Sequence, residues 1–159
     1  MPTPEITDAL QSTEQAIARL DETLAGLSDG DLHLAHRDGG WTAAQLVSHL
    51  TMSVLLWTAA LTRVANDPLL AFVFREEIGH DVVGYPPPRI EVARRQLAST
   101  RQTLATCVPA IGQATREREI EIPDLGTLTM AAWTPPVLGH AAGHCDQALD
   151  VLRNRGAIQ

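Results

Sequence analysis

Apolar residues recur every three or four positions through most of this chain, and that beat restricts it to amphipathic helices packed on one another. Ile6, Leu10, Thr13, Ile17, Leu20, Leu24 and Leu27 follow it in the first stretch. Pro4, directly after Thr3, suits a first helical turn, where a missing N–H leaves no bond unmade. A second helix carries the clearest start signal. Thr42 and Gln45 have the spacing of a capping box, and Trp41 and Leu46 flank it as a hydrophobic staple. Leu46, Leu50, Val54, Trp57 and Leu61 then face one way. A third helix is read from Ile90, Ala93, Leu97, Thr100, Leu104, Cys107 and Ile111, with Pro109 loosening its last turn. The fourth spans Thr129 to Arg155, kinked or restarted at Pro135-Pro136, and ends with Arg153, Arg155 and Gly156.

Two connections stand out. From Asn66 to Arg89 the periodicity fades, and Pro86-Pro87-Pro88 closes the stretch. That is too long for a tight antiparallel turn, so the expectation is a crossover, with room for a short helix at Leu69–Glu77. Around Asp124 and Gly126 polar and apolar residues alternate, which predicts a short β-hairpin before the last helix. The resulting expectation is all-α: a four-helix bundle with a long crossover between the second and third helices. At 159 residues and 45% hydrophobic, the chain suffices for one core and is short for two, so residues 1–159 are read as a single domain.

Charge narrows the partners. The net charge is −7, and all 12 basic residues are arginines scattered without a patch. Duplex binding needs clustered cations to displace counterions, so no nucleic-acid partner is expected. The first residues lack the pattern of a secretory signal. His49, Thr51, Ser53 and Thr58 break the longest apolar region, so no membrane span is expected. Two cysteines, Cys107 and Cys145, make no disulfide framework. The expectation is a cytoplasmic protein acting on a small molecule. A homodimer, pairing through the first helix or the crossover, stays open.

Three histidines carry the chemistry. His140 and His144 lie one helical turn apart, and His49 sits about 100° from Leu50, at the edge of the second helix's apolar stripe. Six histidines in this length supply roughly 0.2 H-x3-H pairs by chance, so the spacing alone is a weak motif. Two readings follow: hydrogen-bonded core histidines, or three imidazole ligands around one metal with a free coordination position. The second is favoured by the placement of the pair on what reads as the inward stripe of its helix, together with Gln147 and Val151.

The segments G-G-W-T-x-x-Q-x-x-x-H-L at 39–50 and H-x3-H-x-x-Q at 140–147 resemble those of the DinB/YfiT superfamily of metal-dependent bundles. The resemblance extends to helix count, the long connection and the order of the histidines. It implies that His49, His140 and His144 bind a divalent metal, zinc or nickel above others. It also implies an enzyme, since several members are S-transferases that use mycothiol, bacillithiol or glutathione against electrophiles. Gly139 and Gly143 beside the helix-four histidines depart from a good helix interior. They allow close approach of a backbone or ligand, or relieve crowding.

Other residues compete less well. Glu77-Ile-Gly-His80 has the E-x-x-H spacing of di-iron bundles, but those need two copies and further glutamates. His33 and His36 read as solvated loop residues. Cys145 points about 100° away from His144 and reads, like Cys107, as a small core residue. Trp41, Trp57 and Trp133 read as core or cap packing. Gln147 is the candidate catalytic residue, orienting substrate or a metal-bound water; a buried amide bonded to a neighbouring helix is the equal alternative. A cation held by neutral imidazoles favours the anionic form of an incoming thiol or water. Thiol transfer ranks first, as the resemblance implies; hydrolysis ranks second, since it needs a general base and only the unplaced Asp146 and Asp150 offer one. A non-catalytic protein, either a bundle with a stabilising metal or a dimeric binding module, is the third reading.

Overall fold

The computed structural model describes residues 2–67, 88–122 and 126–159. Four long helices dominate: α1 (Pro4–Leu24), α3 (Ala43–Asn66), α4 (Ile90–Cys107) and α6 (Met130–Asn154). Among the described residues, two short helices, α2 (Asp29–Leu32) and α5 (Gln113–Arg116), and two strands, β1 (Glu119–Ile122) and β2 (Gly126–Thr129), lie in the connections.

The helix starts follow from side-chain chemistry. Thr3 accepts the Ile6 N–H with Pro4 in the first turn, and Thr129 caps α6 by accepting the Ala132 N–H. The capping box of α3 is formed in both directions: Thr42 Oγ1 accepts the Gln45 N–H at 3.1 Å, and Gln45 Oε1 accepts the Thr42 N–H at 2.9 Å. Each bond satisfies a donor that a helix end leaves orphaned.

The four long helices pack in a ring. α1 lies against α6 and α4, and α3 also lies against α6 and α4, so α1 and α3 face each other across the bundle. Consecutive long helices α1 and α3 are therefore diagonal, and the chain between them crosses the end of the bundle through α2. The apolar stripes meet in one core: Ile17, Leu20 and Leu24 from α1, Leu50, Val54 and Trp57 from α3, Leu97 and Leu104 from α4, and Leu138 and Leu152 from α6 are all buried. Thr13 bridges α1 and α6 inside it, donating to the Leu138 carbonyl at 2.9 Å and the Ala9 carbonyl at 2.8 Å. Arg94 of α4 ties to Asp21 of α1 at 2.7 Å, and that carboxylate raises the guanidinium pKa further.

α3 passes for a membrane span by length and composition, with a mean hydropathy of 1.3 over its most apolar window. Within the bundle 56% of that window is buried, against α4 and α6. Its apolarity is that of a core helix.

Several expectations change in detail. The first helix ends at Leu24 rather than Leu27, and the third at Cys107 rather than Ile111, where Pro109 follows. α6 is not restarted at Pro135-Pro136 but runs unbroken through both. The expected hairpin is present, pairing Ile120 with Leu128 and Ile122 with Gly126, whose φ of 77° suits glycine. The Asn66–Arg89 connection joins two helices packed side by side; the suggested Leu69–Glu77 helix and the Glu77–His80 motif lie outside the described residues.

Candidate metal centre

The site forms where the first turns of α3 face the middle of α6, and the loop before α3 shapes it. Ala35 and Thr42 pair in an isolated antiparallel bridge, and the Gly39 N–H donates to the His36 carbonyl at 2.9 Å. Gly39 and Gly40 have φ of 91° and 98°, a left-handed backbone that side chains disfavour. This double reversal brings Trp41 over the start of α3.

His49, two turns into α3, meets His140 and His144 of α6. Their candidate ligand nitrogens all lie within 4.8 Å of one another. His140 Nε2 stands 3.0 Å from His144 Nε2 and 3.3 Å from His49 Nε2. The rings meet edge to face, His144 at 4.5 Å from His49 and 4.3 Å from His140 between centroids. Nitrogens that share one tetrahedral zinc at 2.0–2.1 Å stand about 3.3 Å apart, so the spacing fits a metal.

The tautomers fit as well. His144 Nδ1 lies 2.7 Å from Gln147 Oε1, a carbonyl oxygen that can only accept. Nδ1 therefore carries the proton, and His144 Nε2 presents its lone pair to the other two rings. That lone pair faces the His140 ring at 3.0 Å, an arrangement that suits a cation held between imidazoles.

The surroundings correct four sequence readings. The stripe of His140, His144 and Gln147 is not inward: Leu138, Ala141, Cys145, Ala148 and Leu152 hold the core face, while His140 and Gln147 are exposed and His144 is half-buried. A step of 100° per residue places these side chains at the edge of the core face, so the centre opens to solvent. Gln147 is not a buried amide tied to another helix; it orients a ring on its own helix. Trp41 does more than pack, standing edge-on to His49 at 4.9 Å and stacked over His144 at 6.3 Å. His36 is not a solvated loop residue. Its side chain is 22% exposed, with Asp38 Oδ2 3.5 Å from Nδ1 and Asp150 Oδ2 3.9 Å from Nε2.

The remaining candidates fall as expected or are now placed. Cys145 is fully buried, and burial, helped by the charge of Asp146, pushes its thiol up to about 12, which removes it as ligand or nucleophile. Cys107 is half-buried. Trp57 and Trp133 are in the core. Asp146 pairs with Arg19 at 3.2 Å. Added Cβ atoms at Gly139 and Gly143 would meet nothing within 4 Å, so these glycines relieve no crowding and hold no backbone close. Beside the triad lies an open cavity of about 510 Å³ whose wall includes His36, Trp41, Leu46, Gln147, Asp150 and Val151.

Residues 12–148 match the model of the DinB superfamily. Among solved structures the chain is similar to YfiT from Bacillus subtilis, described as a probable metal-dependent hydrolase with an unusual four-helix bundle topology. The TM-score is 0.77 at 18% identity, over 98% of this chain and 91% of that one. That likeness establishes the fold. No curated protein matches the sequence significantly.

Proposed function

Because the chain belongs to the DinB superfamily and three imidazole nitrogens converge at one solvent-open point, we propose that it is a metal-dependent enzyme that transfers a low-molecular-weight thiol to a small electrophile. The convergence of His49, His140 and His144 carries this reading. Among the described residues the group that could hold the ion consists of three imidazoles, a donor set that suits zinc, nickel, copper or iron and keeps the charge of a divalent ion undiminished. Bound there, such an ion would supply Lewis acidity, lowering the pKa of a thiol or water that reaches it.

The chain's own residues do the rest. His49, His140 and His144 would hold the ion. Gln147 keeps His144 in the tautomer that offers Nε2, so its catalytic part is positioning. Trp41 shields one side of the centre, and the adjacent cavity gives a substrate a place beside it. Thiol transfer is favoured over hydrolysis by what Gln147 and the acids are engaged in. The Gln147 carbonyl faces His144, Asp146 faces Arg19, and an amide cannot take a proton from water.

Hydrolysis is the second reading. The description of YfiT favours it, and so does His36, a ring on the cavity wall beside Asp150. A screen separates the two. Metal-loaded protein is given mycothiol, bacillithiol or glutathione with an aryl halide, and separately ester and amide substrates without thiol. Thiol-dependent loss of the halide that vanishes in His144→Ala supports the transferase. Turnover of ester or amide with no thiol overturns it in favour of hydrolysis.

A further inference from the structure

The cavity beside the triad has a chemistry of its own. Its floor is apolar, from Trp41, Leu46 and Val151, and it shares Trp41 and Gln147 with the metal centre. On its polar side stand His36, Asp146 and Asp150, with no lysine or arginine among the described lining residues. Asp146 is engaged by Arg19, which leaves the His36–Asp150 pair facing the space.

The hydrogen bonds around His36 say what that pair presents. Its Nδ1 accepts the backbone N–H of Asp38 at 3.1 Å. The Asp38 carboxylate is also near, at 3.5 Å, but the shorter backbone bond decides the tautomer. In the neutral ring the proton therefore sits on Nε2. From Nε2 to Asp150 Oδ2 is 3.9 Å, too long for a direct hydrogen bond. The two groups form a donor and an acceptor with a gap that a third polar group can bridge.

We propose that this cavity is the recognition subsite for a hydroxyl-bearing small molecule with an apolar body, its hydroxyl accepting from His36 and donating to Asp150. A hydroxyl is both acceptor and donor and meets both groups. An ammonium leaves the His36 N–H unmatched. A carboxylate meets Asp150 with like charge. The apolar body lies on Trp41, Leu46 and Val151, which places the molecule beside the triad; its role as substrate rests on the metal-enzyme reading, whereas its binding does not.

The experiment uses the full chain stripped of metal, with benzyl alcohol and benzoate as probes of equal ring size, titrated by amide NMR. Benzyl alcohol is expected to shift the signals of Gly39, Trp41, Gly143 and Val151 and to bind about three- to five-fold more tightly than benzoate, the scale of an exposed charge interaction. Asp150→Asn should shrink that ratio toward one. Gly143→Leu, which pushes a side chain into the open wall, should abolish both titrations. Asp150→Asn leaves the triad and Gln147 untouched, so it should bind metal as the wild type does. Equal or tighter binding of benzoate to the wild type, shifts that map elsewhere, or an unchanged ratio in Asp150→Asn overturns the subsite. Wild-type protein that binds metal but not the alcohol sinks the subsite alone. Protein that binds the alcohol but no metal sinks the metal reading alone.

Discussion

Gln147 offers a sharp test of how the centre is held, because its one contact with the triad is separable from the fold. The Gln147 carbonyl accepts from His144 Nδ1 at 2.7 Å, and the side chain is otherwise exposed. Replacing it with methionine keeps the length and removes the acceptor. Losing such an outer partner commonly costs 10- to 100-fold in metal affinity. Water can reach Nδ1 here and replace part of the bond, so the expected loss is near the lower end, about tenfold or roughly 1.4 kcal/mol. Gln147→Glu keeps an acceptor and makes it anionic, which raises the basicity of His144 and should hold affinity at or above wild type. Zinc affinity is read by competition against a chromophoric chelator, beside thermal melts of the metal-free proteins. The melts should stay within about 0.5 kcal/mol of wild type, as for other exposed changes. Wild-type affinity in Gln147→Met, or weaker binding in Gln147→Glu than in Gln147→Met, would refute the positioning role.

Other consequences concern the scaffold. Thr42→Ala removes one of the two capping bonds of α3 and should destabilise the protein by about 1 kcal/mol, a fall of about 2–4 °C in Tm by calorimetry. Gly139→Ala should stabilise by up to about 1 kcal/mol, since the added methyl meets open space in a helix interior; a drop in Tm would show that this glycine is there for another reason. Cys145, buried with its thiol pushed up to about 12, should resist a maleimide until the protein is unfolded, while half-buried Cys107 labels first; mass spectrometry of the labelled peptides decides.

What the sequence made legible was local. The beat of α1, α3, α4 and α6 and the Thr42–Gln45 box depend on residues a few positions apart, and those elements formed where expected. The ring order did not: nothing in the spacing says that α1 and α3 sit diagonally, because that depends on which stripes bury best together. The triad was legible because two motifs at opposite ends of the chain combined, whereas either alone was weak. The stripe bearing His140 and His144 was misjudged as inward since a side chain at the edge of a helix face has the same spacing as one at its centre. His36 left no trace in the sequence. Its place depends on the Gly39–Gly40 reversal and on Asp150, which α6 brings back from the far end of the chain. Trp41 stood in the G-G-W-T segment, but only the folded loop shows it stacked on the histidines.

The central claim is that His49, His140 and His144 form one divalent-metal site, and elemental analysis tests it most directly. Protein purified without chelator and loaded with zinc or nickel is compared with His144→Ala, both checked for helical content by circular dichroism. The account predicts one equivalent of metal per chain in the wild type and a loss of tight binding in the variant, with the helices intact. No stoichiometric metal in the wild type, or equal retention by His144→Ala, would contradict it.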